Sequence, residues 1–335
     1  MIELSVVIPT HNRLGQLKRV LDAFARQTYP LDAVEFIVVS DASTDGTSAF
    51  LQGYQGPLRL CPLLQEHGGP AKARNNGIAH ASGALILFVD DDVVPTPTLV
   101  AEHMRLHQAS GGPLVVLGPM LTPDDFAMEP WVRWEQAMLM KQYRAMQEGK
   151  WKPTARQFYT GNTSLRRELV VRAGGFDESF RRAEDVELAY RLNELGVEYV
   201  FNPSAVGLHY AIRSFRSWME IPYAYGRNDA IFATTRGQTW IVPKAREEFG
   251  ERNPLLRLLV RRCLNRPAAS GAAIALLQAA ASAGNALRLG PVGRFAYSGI
   301  FSLRYYQGLI DGLGSEAALF APAPPAADTS PLTTK

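Results

Sequence analysis

Short apolar runs alternate with amphipathic stretches along the first half of the chain. Residues 4–8, 36–39, 58–60, 85–89 and 114–117 are β-rich runs of strand length. Between the first two, Leu14, Leu17, Leu21 and Phe24 recur at helical spacing. Pro70 sits where a helix can begin and predicts one over residues 71–81. Thr96-Pro97 is a second start signal, an N-cap residue followed by proline at the first helical position. Strands alternating with helices in this way predict a parallel α/β sheet with right-handed crossovers. Ligands of such sheets bind beyond the carboxyl ends of the strands. Those ends read Pro9-Thr10-His11-Asn12-Arg13, Ser40-Asp41-Ala42-Ser43-Thr44-Asp45-Gly46-Thr47 and Asp90-Asp91-Asp92, all expected on one edge of the sheet.

The pattern changes from Gly161. Gly161-Asn162-Thr163-Ser164 is expected to follow a strand and Gly174-Gly175-Phe176-Asp177 to turn. Glu184-Asp185 is expected to open a helix with Val186, Leu188, Ala189 and Leu192 at its apolar positions, its acids placed where the helix dipole favours negative charge. Residues 197–201 and 206–209 read as further short strands. Beyond residue 240, arginines recur from Arg252 to Arg304 with no Asp or Glu before Asp311. Within that stretch residues 267–287 are uncharged and rich in alanine, and the proline-rich tail after Phe320 is expected to be disordered.

Composition narrows the class. A chain of 335 residues, 47% hydrophobic and 20% charged, is ordinary globular protein. A net charge of +3 is too small to suggest a nucleic-acid partner. Cys61 and Cys263 are far apart, give neither metal-ligand spacing nor a disulfide framework, and fit a reducing compartment. Residues 3–9 already read as a folded strand and not as a signal peptide, so the expected location is the cytoplasm.

The strand ends carry the candidate chemistry. Three adjacent carboxylates at a buried strand end are costly unless neutralised. A divalent cation does this, and Mg²⁺ or Mn²⁺ typically takes one or two carboxylates plus substrate phosphates. The competing reading is a solvated acidic turn. Asp41 can accept a hydrogen bond from a nucleotide base, whereas Ser43, Thr44, Asp45 and Gly46 are explained by capping and turn formation. The stretch from Gly68 to Gly77 joins a glycine turn to a helix start, where phosphate binds readily, with Lys72 and Arg74 adding charge. Glu184-Asp185 is either a general base for an attacking hydroxyl or ordinary acid usage at a helix start. His209 is either a metal ligand or a core histidine.

Taken in order, these stretches resemble family-2 glycosyltransferases, over roughly residues 3–210. The matching motifs run from Val6-Val7-Ile8-Pro9-Thr10-His11-Asn12-Arg13 through Val39-Ser40-Asp41, Lys72-Ala73-Arg74-Asn75-Asn76-Gly77 and the triple aspartate. They continue through Gly161-Asn162-Thr163-Ser164 and Gly174-Gly175-Phe176-Asp177-Glu178 to Glu184-Asp185-Val186-Glu187-Leu188. The resemblance implies a glycosyltransferase-A fold: a mixed, mainly parallel nucleotide-binding sheet flanked by helices, here with a helical C-terminal extension. It implies inverting transfer from a nucleotide-sugar donor, UDP by default, to a glycan or lipid-linked acceptor. Pro9, Thr10, Asn12 and Arg13 would surround the nucleotide, with Asp41 on the base and Lys72, Arg74, Asp90 and Asp91 near base or diphosphate. Asp92 and Asp90 would hold the metal, joined by His209. Asp185 would be the catalytic base beside Glu184, and Gly161, Asn162, Trp131 and Trp134 would meet the acceptor or sugar. Residues 1–238 would form the catalytic domain, its nucleotide-binding half about 1–120 and its acceptor-binding half about 121–238. Residues 239–318 would form a basic helical region and 319–335 a disordered tail.

The acid-free arginine region flanks apolar segments and suits an anionic membrane leaflet or a lipid-phosphate acceptor, placing the protein at the inner face of the plasma membrane. Residues 267–287 have the length to span a bilayer but a composition poor for it. Spanning, peripheral contact and a plain helical appendage all stay open. Two other functions compete: a sugar nucleotidyltransferase, disfavoured because the first strand lacks a glycine-rich phosphate loop, and a non-catalytic nucleotide-sugar-binding protein on the same fold.

Overall fold

The computed structural model describes residues 1–320; the expected disordered tail lies outside them from residue 321 on. The chain divides into two compact units, Met1–Ile212 and a helical one beginning at Arg213.

In the first unit, β1 (Leu4–Thr10), β2 (Val34–Asp41), β3 (Leu60–Gln65) and β4 (Leu85–Val89) pair in parallel. β4 reads Leu-Ile-Leu-Phe-Val with every residue buried, the mark of a strand covered on both faces. α1 (Leu14–Phe24), α2 (Thr47–Gln52) and α3 (Gly69–His80) connect these strands. Leu17, Val20, Leu21 and Phe24 of α1 pack into one core with Val6, Ile8, Phe36 and Val38. Two sequence expectations shift here. β3 starts at Leu60, because Leu58 enters the core from the preceding loop; its hydrophobicity marked burial, not strand. After β5 (Val93–Pro95), α4 (Leu99–Ala109) begins later than Thr96-Pro97 suggested. Thr96 is engaged elsewhere, its N–H and hydroxyl both donating to the carbonyl of Val206.

β6 (Leu114–Leu117), β7 (Met120–Leu121), α5 (Pro130–Gln147), β8 (Asn162–Arg166), α6 (Arg167–Arg172), α7 (Glu184–Glu194), β9 (Glu198–Phe201) and β10 (Gly207–His209) complete this unit. The seven-stranded sheet runs β3-β2-β1-β4-β8-β6-β9. Only β8 is reversed, antiparallel to β4 and to β6, so the sheet is mixed and mainly parallel. Asn162-Thr163-Ser164 therefore forms β8 itself instead of following a strand. A small second sheet, β5-β10-β7, aligns His209 with Val93 beside the triple aspartate.

The second unit contains α8 (Phe215–Thr235), α9 (Ile241–Glu251), α10 (Pro254–Cys263), α11 (Pro267–Ala286), α12 (Gly290–Leu313) and α13 (Glu316–Phe320). α8 and α12 cross at backbone contact. A Cβ on Gly226 would lie 2.0 Å from the carbonyl oxygen of Tyr305, and one on Gly308 would lie 1.9 Å from that of Tyr223. Only glycine admits this approach. Tyr305 and Tyr223 reinforce it through hydrogen bonds to Asp229 and Asp311, each 2.7 Å. Residues 319 and 320, expected in the tail, are folded: Leu319 is buried and Phe320 packs on Phe249.

Candidate functional site

Parallel pairing sets the carboxyl ends of β1, β2 and β4 side by side, Thr10 opposite Ser40. The loops that follow build one another. Asn12 sits at φ +54°, a left-handed conformation that asparagine tolerates. Its Oδ1 accepts from the Thr44 N–H at 2.7 Å, and its own N–H donates to the Ser43 hydroxyl at 3.1 Å. Asp45 accepts from the N–H groups of Leu14 and Thr47. Asn12 and the Ser-Thr-Asp run thus tie together the loops that follow β1 and β2. Asp41 is buried and receives Gln65 Nε2 and the N–H groups of Gly68 and Gly69 at 2.8–2.9 Å. Burial alone would raise its pKa, but these donors outweigh it and hold the carboxylate below its ordinary value. Lys72 is exposed on the first turn of α3, and Pro9 is half-buried in β1.

The triple aspartate divides between two guanidiniums. Arg13 Nη1 donates to Asp91 Oδ1 at 2.9 Å and to Asp92 Oδ2 at 2.7 Å. Arg74, buried in α3, donates from Nη2 to Asp90 at 2.7 Å and from Nη1 to Glu184 at 2.9 Å. Burial works against both guanidiniums, but their carboxylate partners prevail and raise both pKa values. Glu184 and Asp185 head α7 after Ala183, whose φ of +58° is unusual for alanine. Asp185 Oδ1 accepts the Val186 N–H at 2.8 Å. Asp185 retains partial solvent access, yet surrounding protein, and then the charge of Glu184, push its pKa up to about 7. Burial also lifts Asp91 to about 6, against the pull of Arg13. Gly161 keeps room for this cluster, since a Cβ there would sit 2.5 Å from Met120 Sδ and 3.1 Å from Asp90 Oδ2.

Four carboxylates, Asp90, Asp91, Asp92 and Glu184, share these two guanidiniums, and Asp185 stands next to Glu184 without a guanidinium of its own, so negative charge is in surplus. A divalent cation fits that surplus. Asp92 Oδ1 and His209 Nε2 stand 3.5 Å apart, both nearly buried, which suits two ligands of one ion. Asp90 turns instead to Arg74. Among the described residues, the three-ligand group whose donor atoms already converge is a different one, His11, Asp41 and His67. His67 Nδ1 lies 3.0 Å from Asp41 Oδ2, and the two imidazole rings are 5.1 Å apart. No motif in the sequence singles out His67, which lies in the loop before α3.

Asn162 departs from its expected place against a sugar. It is fully buried, donating to the carbonyls of Pro119 and Ala205 and holding His103 Nε2 at 2.9 Å from its Oδ1. Its contacts are with the framework. Ser164 completes that network, its hydroxyl 2.8 Å from both His103 Nδ1 and His107 Nε2. Burial lowers both histidines to about 4. Trp131 and Trp134 are half-buried on α5, with Trp131 packed against the cluster of Met128, Val132 and Ala211. Nearby, a cavity of about 440 Å³ is lined by Thr122, Phe126, Met128, Arg133, Gln136 and Met140. Asn75 accepts the Phe176 N–H and donates to the Phe176 carbonyl and Glu178, which explains why the Lys-Ala-Arg-Asn-Asn and Gly-Gly-Phe-Asp-Glu stretches occur together.

Comparison with known proteins agrees with this arrangement. The chain is 34% identical over 230 residues to validoxylamine A glucosyltransferase of Streptomyces hygroscopicus subsp. jinggangensis, covering 61% of this chain and 54% of that one. It is 37% identical over 102 residues to the poly(ribitol-phosphate) β-N-acetylglucosaminyltransferase TarS of Staphylococcus aureus, covering 30% of this chain and 18% of TarS. The chain thus spans about half the length of the first relative and much less of the second. In fold it is similar to the mannosyltransferase PcManGT of Pyrobaculum calidifontis, solved with GDP-Man and Mn²⁺, at a TM-score of 0.59 and 23% identity over 92% of this chain and 87% of that one. The profile of Glycosyl transferase family 2 matches residues 5–172, half of the chain, and spans the edge that carries Asp41, Arg74 and the triple aspartate. The chain belongs to this family.

Proposed function

We propose that the chain transfers a sugar, with inversion, from a nucleotide-diphosphate sugar to a hydroxyl of a glycan or lipid-linked acceptor, a UDP-sugar being the favoured donor. Solved neighbours hold GDP-Man with Mn²⁺ in one case and UDP in another, which supports a nucleotide-sugar donor. Asp41 and the loop after β1 receive the nucleoside. Arg13 and Arg74 lie where the diphosphate charge must be met. Mg²⁺ or Mn²⁺, held by Asp92 and His209 with Asp90 close by, would supply Lewis-acid stabilisation of the leaving diphosphate. Asp185 takes the proton of the acceptor hydroxyl as its oxygen bonds to the anomeric carbon and the bond from that carbon to the diphosphate breaks. A carboxylate with a pKa of about 7 is matched to this task at neutral pH. Glu184, fixed by Arg74, positions the head of α7.

The observation that carries this reading is Asp185: a partly accessible carboxylate raised to about 7, on the helix that Arg74 ties to the triple aspartate. Calorimetric titration with UDP, GDP and dTDP, with Mn²⁺ and with EDTA, tests the donor half. One nucleotide should bind, and only with metal; no binding by folded protein under any condition would overturn the proposal.

A further inference from the structure

The second unit exposes a surface that carries none of the residues assigned to transfer. α11 is a 20-residue helix without a charged residue, and it buries only Ser270, Leu277, Ala281 and Gly284. Leu276 on its outer side is 72% exposed. Among the described residues no helix is long and apolar enough to cross a membrane.

The corner between α11 and α12 is exposed as well. Leu287 is 68% exposed and Leu289 49%, with Arg288 exposed between them. Val292 and Phe295 follow in the first turns of α12, again exposed, with Arg294 exposed beside them. Apolar tips and guanidiniums therefore alternate along one corner. Arg262 and Arg266 add exposed positive charge at the other end of α11. Every described acid of this unit lies elsewhere: on α8, on α9, or after Ile310. An exposed apolar patch marks an interaction site, and an unbroken positive frame selects a negatively charged occupant. A second copy of the same face would set arginines against arginines, which disfavours a symmetric dimer. A polyanion without an apolar phase would leave the leucines and Phe295 uncovered.

We infer that the α11–α12 corner and the outer face of α11 form a peripheral docking surface for an anionic lipid bilayer. Leu287, Leu289, Val292 and Phe295 enter the boundary between headgroups and acyl chains, and Arg288 and Arg294 meet lipid phosphates. The inference stands apart from the proposed transfer chemistry, since it uses no residue of the first unit.

Co-sedimentation of the full chain with phosphatidylcholine vesicles, with and without phosphatidylglycerol, tests it. Binding should require phosphatidylglycerol and fall steeply at about 1 M salt, where the screening length is about 3 Å. Replacing Arg288 and Arg294 together by Gln should weaken binding roughly thirty-fold, and Leu287→Glu with Leu289→Glu should abolish it. These side chains are exposed, so both variants should keep the parent's circular dichroism and melting temperature. Equal binding to neutral and anionic vesicles, or none by folded protein, would overturn the inference. So would a concentration-dependent dimer in sedimentation velocity that Leu276→Glu dissolves, since the face would then belong to a second copy.

Discussion

Arg74 and Glu184 are 110 residues apart in sequence and 2.9 Å apart in space. Because the same guanidinium also holds Asp90, one side chain of α3 fixes the end of β4 and the head of α7 together. The neighbouring Asn75 locks the Phe176 backbone, which steadies the approach to α7. Arg74→Ala would leave buried Glu184 without its counter-charge. Breaking such a pair costs about 3 kcal/mol or more. The variant should melt well below the parent, and transfer should fall by roughly a hundred-fold or more, since misplacing catalytic groups by about 1 Å costs that much. Arg74→Lys keeps the charge but not the fork, and should fall between. An unchanged melting temperature in Arg74→Ala would show that the bridge carries no load.

The rate should depend on pH through Asp185. Its pKa is raised to about 7, first by burial and then by the charge of Glu184. A base must be deprotonated, so kcat should rise with pH through about 7 and fall on the acid side. Glu184→Gln removes the second cause and leaves the first. The acid limb should then move to lower pH without reaching the range of an ordinary carboxylate. A limb that stays in place in Glu184→Gln would assign it to another group.

The same shift makes Asp185 costly to the fold. A carboxyl whose folded pKa exceeds its unfolded value helps stability below the unfolded value, and that help is lost as pH rises through the folded one. The window runs from 3.8 to about 7. Asp185→Asn should therefore melt several degrees above the parent at about pH 8 while losing transfer, the usual opposition between function and stability. The gain should shrink towards about pH 4, where Asp185 is protonated in both states. Thermal unfolding at several pH values reads this directly.

Acid should destabilise the first unit through His103 and His107. Both are lowered to about 4 from 6.5, mainly by burial around Ser164. A depressed folded pKa gives stability that is full above the unfolded value and lost as pH falls through the folded one. Urea denaturation at stepped pH should show the loss between 6.5 and about 4, amounting to a few kcal/mol for the two together. His107→Gln, which cannot take up the proton, should flatten part of that slope.

The positions of Asp41 and the triple aspartate were legible from short apolar runs and the polar residues after them. The start of α7 at Glu184 was legible from acids followed by apolar residues at helical spacing. Asn162 shows the limit. Its motif marked it as notable, but spacing cannot say which way a strand residue points, and burial turned it into the framework beside His103. His67 was missed because its partner Asp41 is 26 residues away, with α2 and β3 between them, and no local pattern pairs the two. Thr96-Pro97 misled because a start signal says nothing of a competing acceptor, here the Val206 carbonyl. The reversed direction of β8 depends on contacts with β4 and β6 that no local pattern encodes.

Asp92 and Asp185 should separate binding from chemistry. Asp92 Oδ1 faces His209 Nε2 at 3.5 Å, whereas Asp185 sits on α7 within the field of Glu184 and Arg74. If Asp92 and His209 hold the metal, removing either should weaken the donor binding that Mn²⁺ supports. His209→Ala should lose about a hundred-fold or more in metal affinity, above the range for losing only a hydrogen-bond partner of a ligand, and Asp92→Ala should lose more because it also removes a charge. Asp185→Asn should bind donor and metal near normally and fail to transfer, because only the proton acceptor is gone. Calorimetry of each variant beside a transfer assay draws the comparison. Normal metal-dependent binding in Asp92→Ala, together with loss of binding in Asp185→Asn, would reverse the two roles. Loss of Mn²⁺ binding on replacing His11 or His67 instead would move the metal to the group around Asp41, where three donor atoms already converge.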